Sequence, residues 1–442
     1  MNDSNKLGTM PVPKLLGTMA LPLVISMLIQ ALYNIVDSIF VSKISESALT
    51  AVSLAFPAQN LLIAFGVGLG LGINAVLSRY LGEGNHDMAD DTANHAVFLW
   101  VAVSAIFALI GFTSAEAFFR MQTDDPEILE MGITYFKICV GFSFGLFGQF
   151  VFERLLQAVG KAFYAMVTQI FGAAVNLILD PVLIFHFDMG VKGAAVATII
   201  GQISSCILAI FINLIKNKEV KFRLRGFRIR AYTLKAIFKI AFPAIVMQSL
   251  TSIMNFFMNL ILIGFSGTAT AVFNIYYKLQ SFFFMPLYGT TNGLVPIVAY
   301  NLGARRRDRM TEAIRLAGKV ALTLMVTGTV VFCAFPKMLL SMFEADAHMM
   351  GIGISALRLI SLNFPFAGLA VVCSSVFQST GNGFASLFCS LVRQIFILLP
   401  CAYFFSLTGS LNLIWISFPI AEFVGFMISI VLIKKLFAKL DF

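Results

Sequence analysis

Charge is what this sequence most conspicuously has little of. Only 12% of its 442 residues are Asp, Glu, Lys or Arg, while 59% are hydrophobic. A soluble globular chain carries about twice that charged share, so a water-exposed fold is excluded and a membrane protein is implied. Histidine is scarce, with four residues, and the six cysteines contain no Cys-x-x-Cys pair and no His at ligand spacing. That excludes a zinc module and a disulfide scaffold. Cys139, Cys206, Cys333, Cys373, Cys389 and Cys401 all fall in apolar runs and are expected to be buried free thiols.

Catalytic signatures are missing as well. No His-x-x-Glu-His or Gly-x-Ser-x-Gly arrangement occurs in the apolar runs, so an intramembrane enzyme is not expected. The stretch GVGLGLG at 66–72 has neither the preceding strand nor the Lys-Ser/Thr ending of a phosphate loop, and it reads as close helix packing through small residues. The formal net charge of +9 resides in a few short connections, which argues for a topogenic role and against nucleic acid as a partner.

Twelve apolar segments are present, at roughly 14–41, 48–80, 92–119, 128–157, 161–186, 190–216, 235–265, 269–301, 311–340, 347–378, 384–407 and 410–433. Each is long enough for the roughly 20 residues a bilayer core requires. The first is too long for a signal-peptide core and no small-residue cleavage site follows it, so no cleavable signal is expected. The connections KNKEVKFRLRGFRIR, GARRRDR and KKLFAK are strongly basic and share one side with Lys6 and Lys14. The opposite connections carry QTDDPE, HFD and EADAH, so the positive-inside rule puts both termini in the cytoplasm.

A displacement of 221 residues carries the chain onto itself. Pro22 falls on Pro243, Asn34 on Asn255, Gln59 on Gln280, Gly68 on Gly289, Gly72 on Gly293, Leu81-Gly82 on Leu302-Gly303, Asp125 on Asp346, Gln157 on Gln378 and Gly160 on Gly381. These are polar, Gly and Pro positions in one ungapped register. They predict an all-α integral membrane fold of twelve helices in two pseudo-symmetric six-helix bundles. Six spans per half make a parallel repeat, as in one class of secondary transporters. The expected division is an N-terminal lobe at 1–216 carrying the ion-coupling site, a basic cytoplasmic linker at 217–234 and a C-terminal lobe at 235–442.

The sequence inventory of ionisable residues inside the spans comprises Asp37, Glu153, Asp180, Arg393 and Glu422. A charge at the bilayer centre costs about 2.5–3.5 kcal/mol or more, so each needs a partner, water or a proton. Asn176 and Asp180 share one helix face. Pro181 cannot donate to the Leu177 carbonyl and should kink the helix, freeing a main-chain oxygen. Carboxylate, carboxamide, free carbonyl and the Thr198 hydroxyl form a set suited to a proton or to Na⁺, with Asp37, Asn176, Asp180 and Thr198 as Na⁺ ligands. A lone Asp180 reads equally well as a hydrogen-bonding group between helices. Asp37 shifts that balance by supplying a second carboxyl at similar depth. The displacement by 221 carries Asp37 to Met258, Glu153 to Ser374, Asn176 to Ile397, Asp180 to Cys401 and Thr198 to Pro419, so the scaffold is duplicated but the acids are not. Arg393 and Glu422 read as structural, and Glu153 reads either way.

The segments YNIVDSIFVSKISESALTAVSLAFP, FERLLQAVGKAF and NLILDPVLIFHFDMGVKGAAVATIIGQ resemble the multidrug and toxic compound extrusion (MATE) family, in particular the staphylococcal Mep-like branch of bacterial exporters. The resemblance implies a V-shaped pair of lobes in the bacterial cytoplasmic membrane, exporting amphiphilic organic cations in exchange for H⁺ or Na⁺, with no cofactor and no oligomer required. The family motif falls here on Asp37, Tyr135, Asn176, Asp180 and Thr198, with Glu153 added in the Mep-like branch. Acids of the other family pattern, in helices 7, 8 and 10, are absent, which puts a C-terminal-lobe cation site in doubt. A major facilitator would show Gly-x-x-x-Asp-Arg-x-Gly after the second span, where this chain has LGEGNHDMADD. A flippase or exporter for lipid-linked or polar metabolites is the alternative, and it would carry more basic residues facing the cleft.

Overall fold

The computed structural model describes residues 5–222, 227–343 and 345–440. Residues 223–226 of the expected linker, Glu344 of the EADAH connection and both chain ends lie outside them. A short helix α1 (Lys6–Thr9) leads into α2 (Val12–Ser42), α3 (Glu46–Gly82), α4 (His86–Arg120), α5 (Pro126–Gly141), α6 (Phe144–Ala158), α7 (Ala162–Pro181) and α8 (Gly190–Lys216). The second half contains α9 (Ala231–Ile263), α10 (Gly267–Gly303), α11 (Arg307–Ala334), α12 (Pro336–Ser341), α13 (Ala347–Ser361), α14 (Phe364–Ser379), α15 (Gly383–Leu391), α16 (Leu399–Ser406) and α17 (Leu411–Lys439). Among the described residues eleven spans are long and apolar enough to cross a bilayer, and the pair α13–α14, bent by 45°, makes a twelfth.

The repeat positions have identifiable structural roles. Ser45 caps α3 by accepting from the Ala48 amide, and Ser266, its repeat partner, caps α10 through Ala269. Asp125 and Asp346 cap α5 and α13 in the same way. Gly160 and Gly381 both take left-handed φ, +82° and +79°, in the turns after α6 and α14. Spans 4 and 10 each break at equivalent places, α5 to α6 at Phe142–Ser143 and α13 to α14 at Leu362–Asn363.

Two apolar cores form, and they exchange their first helices. One gathers α3–α6 and α8 together with Ile237, Ile240, Ala241 and Ala244 of α9. The other gathers α10–α14, α16 and α17 with Met254, Met258 and Leu262 of α9, together with Leu15, Leu16, Met19 and Leu23 of α2. The exchange ends close to Pro22 and Pro243, each inside its helix. Glycine permits the close crossing. A Cβ on Gly72 would stand 2.6 Å from the Ile237 carbonyl oxygen, and one on Gly293 would stand 2.9 Å from the Ala20 nitrogen. Gly82 and Gly303 pack against the backbone of Tyr300 and Arg79 respectively. The glycines of 66–72 are therefore helix-packing residues.

Beyond these contacts the facing stripes lie uncovered. Leu28 and Ile35 of α2 share a face with Val24, which touches Gly289, and both are exposed. Phe282 of α10 shares the face of Gly289 and is exposed too. The halves are thus pinned at the end bearing the basic connections and separated by a cleft at the other.

At the pinned end the linker lies on α4. Asp90 accepts from the Lys221 amide at 2.7 Å, Asp91 accepts from the Thr233 hydroxyl at 2.5 Å, and His95 Nε2 accepts from the Arg230 amide at 2.8 Å. His95 is fully buried beneath this strap. Cys139, Cys206 and Cys389 are buried, but Cys333, Cys373 and Cys401 are only partly so. The expectation of six buried thiols fails for those three because an apolar side chain in a span can face lipid as readily as protein.

Candidate functional site

Close packing of α7 on α8 assembles the polar group. Gly172 lies against the Gly201 carbonyl and Gly201 against the Asn176 side chain, distances that a larger residue on either glycine would prevent. Asn176 is thereby brought to Thr198, its Nδ2 standing 3.4 Å from Thr198 Oγ1 and 3.5 Å from Asp180 Oδ1. At Pro181 the α-helical hydrogen-bond pattern of α7 ends. There α7 passes into a π-helical segment, Val182–His186, whose backbone is allowed close to α8 by Gly193.

Asp37 comes from α2 and reaches the same point, its carboxyl within hydrogen-bonding reach of that of Asp180. Two ionised carboxylates cannot bond to each other, since both only accept. Consistent with that, Asp37 Oδ1, Asp180 Oδ2 and Asn176 Oδ1 are buried without a donor. Asp180 and Asn176 are 0% and 2% exposed. Oxygens crowded in this way call for a positive charge among them, a proton shared by the acids or a hard monovalent cation. Every donor atom is oxygen, so the set suits either.

Tyr135 belongs to the surroundings of this cluster. Its hydroxyl accepts from Gln59 at 2.9 Å, and it lies within electrostatic range of Asp37 and Tyr33. Tyr33, not foreseen from sequence, lies beside Thr198 and within electrostatic range of Asp37 and Asp180. Its signal was available: it precedes Asp37 by one helical turn on the same face.

Glu153 stands apart. Buried on α6, it accepts from Gln149 at 3.1 Å and from Thr168 at 3.2 Å. Thr168 precedes Asn176 by eight residues of α7, about 12 Å of helix, so Glu153 is displaced toward the pinned end. The neighbouring Arg154 bonds Gln157 at 3.0 Å and reaches Asn292 of the other half at 3.5 Å. Arg393 and Glu422 pair through one guanidinium nitrogen at 2.9 Å to both carboxylate oxygens. The sequence inventory of five intramembrane ionisable residues is incomplete, because α5 and α10 carry Lys137 and Lys278 well inside their lengths.

The MatE family profile matches residues 22–182 and again residues 243–404, beginning at Pro22 and at its repeat partner Pro243. The chain belongs to the MatE family. Relatives of this MatE chain include the multidrug export protein MepA of Staphylococcus haemolyticus, 26% identical over 419 residues that cover 94% of this chain and 92% of the relative. MepA of Staphylococcus aureus is 24% identical over 413 residues, covering 93% and 91%. Among solved structures, an outward-facing multidrug resistance MATE transporter of the MOP superfamily matches with a TM-score of 0.92 at 26% identity, over 99% of this chain and 100% of that one. A MOP superfamily transporter from Pyrococcus furiosus, described as having a binding pocket of reversed polarity, matches with a TM-score of 0.92 at 25% identity, over 100% and 99%. This MatE chain is a multi-pass membrane transporter and not an enzyme.

Proposed function

We propose that the protein is a multidrug efflux antiporter of the bacterial cytoplasmic membrane, exporting lipophilic, mostly cationic compounds in exchange for H⁺ or Na⁺ by alternating access. The observation that carries the reading is the buried Asp37–Asp180 pair, with its donor-less oxygens, set in one half beside a cleft that opens at one end only. The names of the MepA relatives and of the MATE neighbours support multidrug export. With the basic connections and both termini in the cytoplasm, the form described is outward-facing. An N-terminal lobe at 1–216, a linker at 217–234 and a C-terminal lobe at 235–442 divide the work, the first holding the coupling site. One chain contains both lobes, so a monomer suffices.

An ion that enters from outside is shared by the two carboxyls, as a proton held in a hydrogen bond between them or as Na⁺ bridging their oxygens. With their mutual repulsion relieved, α2 and α7 draw together around Asn176, Thr198 and Tyr33. That movement narrows the cleft from one side and expels its occupant. Tyr135 holds the position of Gln59 behind the pair, and Glu153 offers a second acid nearer the cytoplasm. One exchanged charge carries about 2.3 kcal/mol per 100 mV of membrane potential, and one pH unit adds about 1.4 kcal/mol. Together they bias a two-state lobe equilibrium by several hundredfold.

The test is ethidium efflux from proteoliposomes under an imposed pH gradient or an imposed Na⁺ gradient, for wild type and Asp180→Asn. Export under one gradient, abolished in the variant, establishes antiport and identifies the ion. Folded protein that exports none of several cations under either gradient refutes the reading and brings forward a flippase or polar-metabolite exporter.

A further inference from the structure

The cleft carries one charge on its facing stripes, and it is positive. Lys278 lies eleven residues, about three turns, before Gly289 on α10, so the two share a face. Gly289 fixes where that face points, since it abuts Val24 of α2 in the other half. Lys278 is exposed, with no hydrogen-bond or ion-pair partner among the described residues, and the exposed Phe282 stands one turn further along the stripe. The four helix segments that flank the open cleft, 25–42, 46–64, 249–263 and 267–285, contain two other charged residues, Asp37 and Glu46, and none besides Lys278 on α9 or α10. Glu46 is the first residue of α3, at the mouth. Asp37 lies thirteen residues after Val24, which turns it away from the cleft toward Asp180 inside the N-terminal half.

The acids therefore serve the interior of one half, while the wall that an occupant touches is cationic and aromatic. We propose that Lys278 is the charge-selectivity determinant of the cleft, holding the anionic group of an amphiphile whose ring lies on Phe282. Besides the cationic compounds of the proposed export, which it holds through aromatic contact, the cleft then also accepts anionic and zwitterionic aromatic amphiphiles. It disfavours dications, which bring like charge against an unpaired ammonium. The inference rests on the cleft being the substrate path, as proposed above, and defines which compounds it takes.

The test is equilibrium binding of a matched pair, 2-naphthalenesulfonate and a naphthyl-trimethylammonium ion, to the full-length protein in phosphatidylcholine nanodiscs. Lys278→Gln should weaken the sulfonate about tenfold, between the small effect of an exposed ion pair and the large one of a buried pair. Lys278→Arg should restore most of it, and the ammonium ion should bind unchanged or tighter, which also shows that the variant is folded. Sulfonate affinity indifferent to Lys278→Gln, or equal loss of both probes, overturns the proposal, as does a wild type that binds the ammonium ion alone. Gradient-driven ethidium export that Asp180→Asn abolishes would survive any of these results, so failure here is distinguishable from failure of the antiport reading.

Discussion

Placing a methyl group at Gly72 or Gly293 should move the whole molecule out of the form described here. The Cβ of Gly72→Ala would meet the Ile237 carbonyl oxygen at 2.6 Å, and that of Gly293→Ala would meet three backbone atoms of Ala20 and Met19 at 2.9–3.0 Å. Ordinary carbon–oxygen contact begins near 3.3 Å, so α3 and α9 must separate by about 0.7 Å. Backbone atoms cannot rotate out of the way as a side chain can. Overpacking of this kind costs about 1–3 kcal/mol, a cost charged only to the state in which these helices touch. If the other transport state parts them, its population rises about 5- to 150-fold. Spin labels at Asp124→Cys and His348→Cys, on exposed outer connections of the two halves and in a background lacking the six native cysteines, report the change by double electron–electron resonance. The distance distribution should shift to shorter values in either variant and further in the double. A distribution identical to that of the parent, in protein of unchanged thermal stability, would refute the reasoning, because it would mean that the crossing absorbs a methyl group without parting.

Two further effects follow from side-chain pairs outside the coupling cluster. Arg393→Met strands the half-buried Glu422 carboxylate and should cost about 2–4 kcal/mol, seen as a lowered Tm in detergent, while adding Glu422→Leu should recover most of the loss. His95→Phe removes the acceptor for the Arg230 amide and should loosen the linker strap by about 1–3 kcal/mol, so that trypsin cleaves between Lys221 and Arg230 at least several-fold faster while Tm changes little.

The features that could be read from the sequence are those in which a residue type has one physical use. Gly160 and Gly381, and Asp125 and Asp346, stood out as repeat pairs, and the structure gives each pair one use, left-handed turns for the glycines and helix caps for the acids. Gly72 and Gly293 were visible as a repeat pair, yet the sequence did not say what they touch, since close approach depends on a partner helix more than 150 residues away. The breaks in spans 4 and 10 were hidden for a related reason. Span 4 carries no proline at its break, and the turn at Phe142–Ser143 is held partly by packing, as Trp100 Nε1 donates to the Phe144 carbonyl from α4 at 2.9 Å, whereas span 10 has Pro365 in the first turn of α14. Asp37 and Asp180 were expected to meet on the strength of depth alone, and the structure brings their carboxyls within reach. Tyr33 escaped notice because tyrosine is ordinary in a membrane helix until a neighbour defines its hydroxyl's use. Lys278 escaped for the opposite reason: a long stem lets lysine sit almost anywhere in a span, so its meaning depends on the direction of the face that carries it. Only the contact of Gly289 with Val24 reveals that direction, and with it the difference between a lysine snorkelling past lipid and one standing alone in the wall of a cleft.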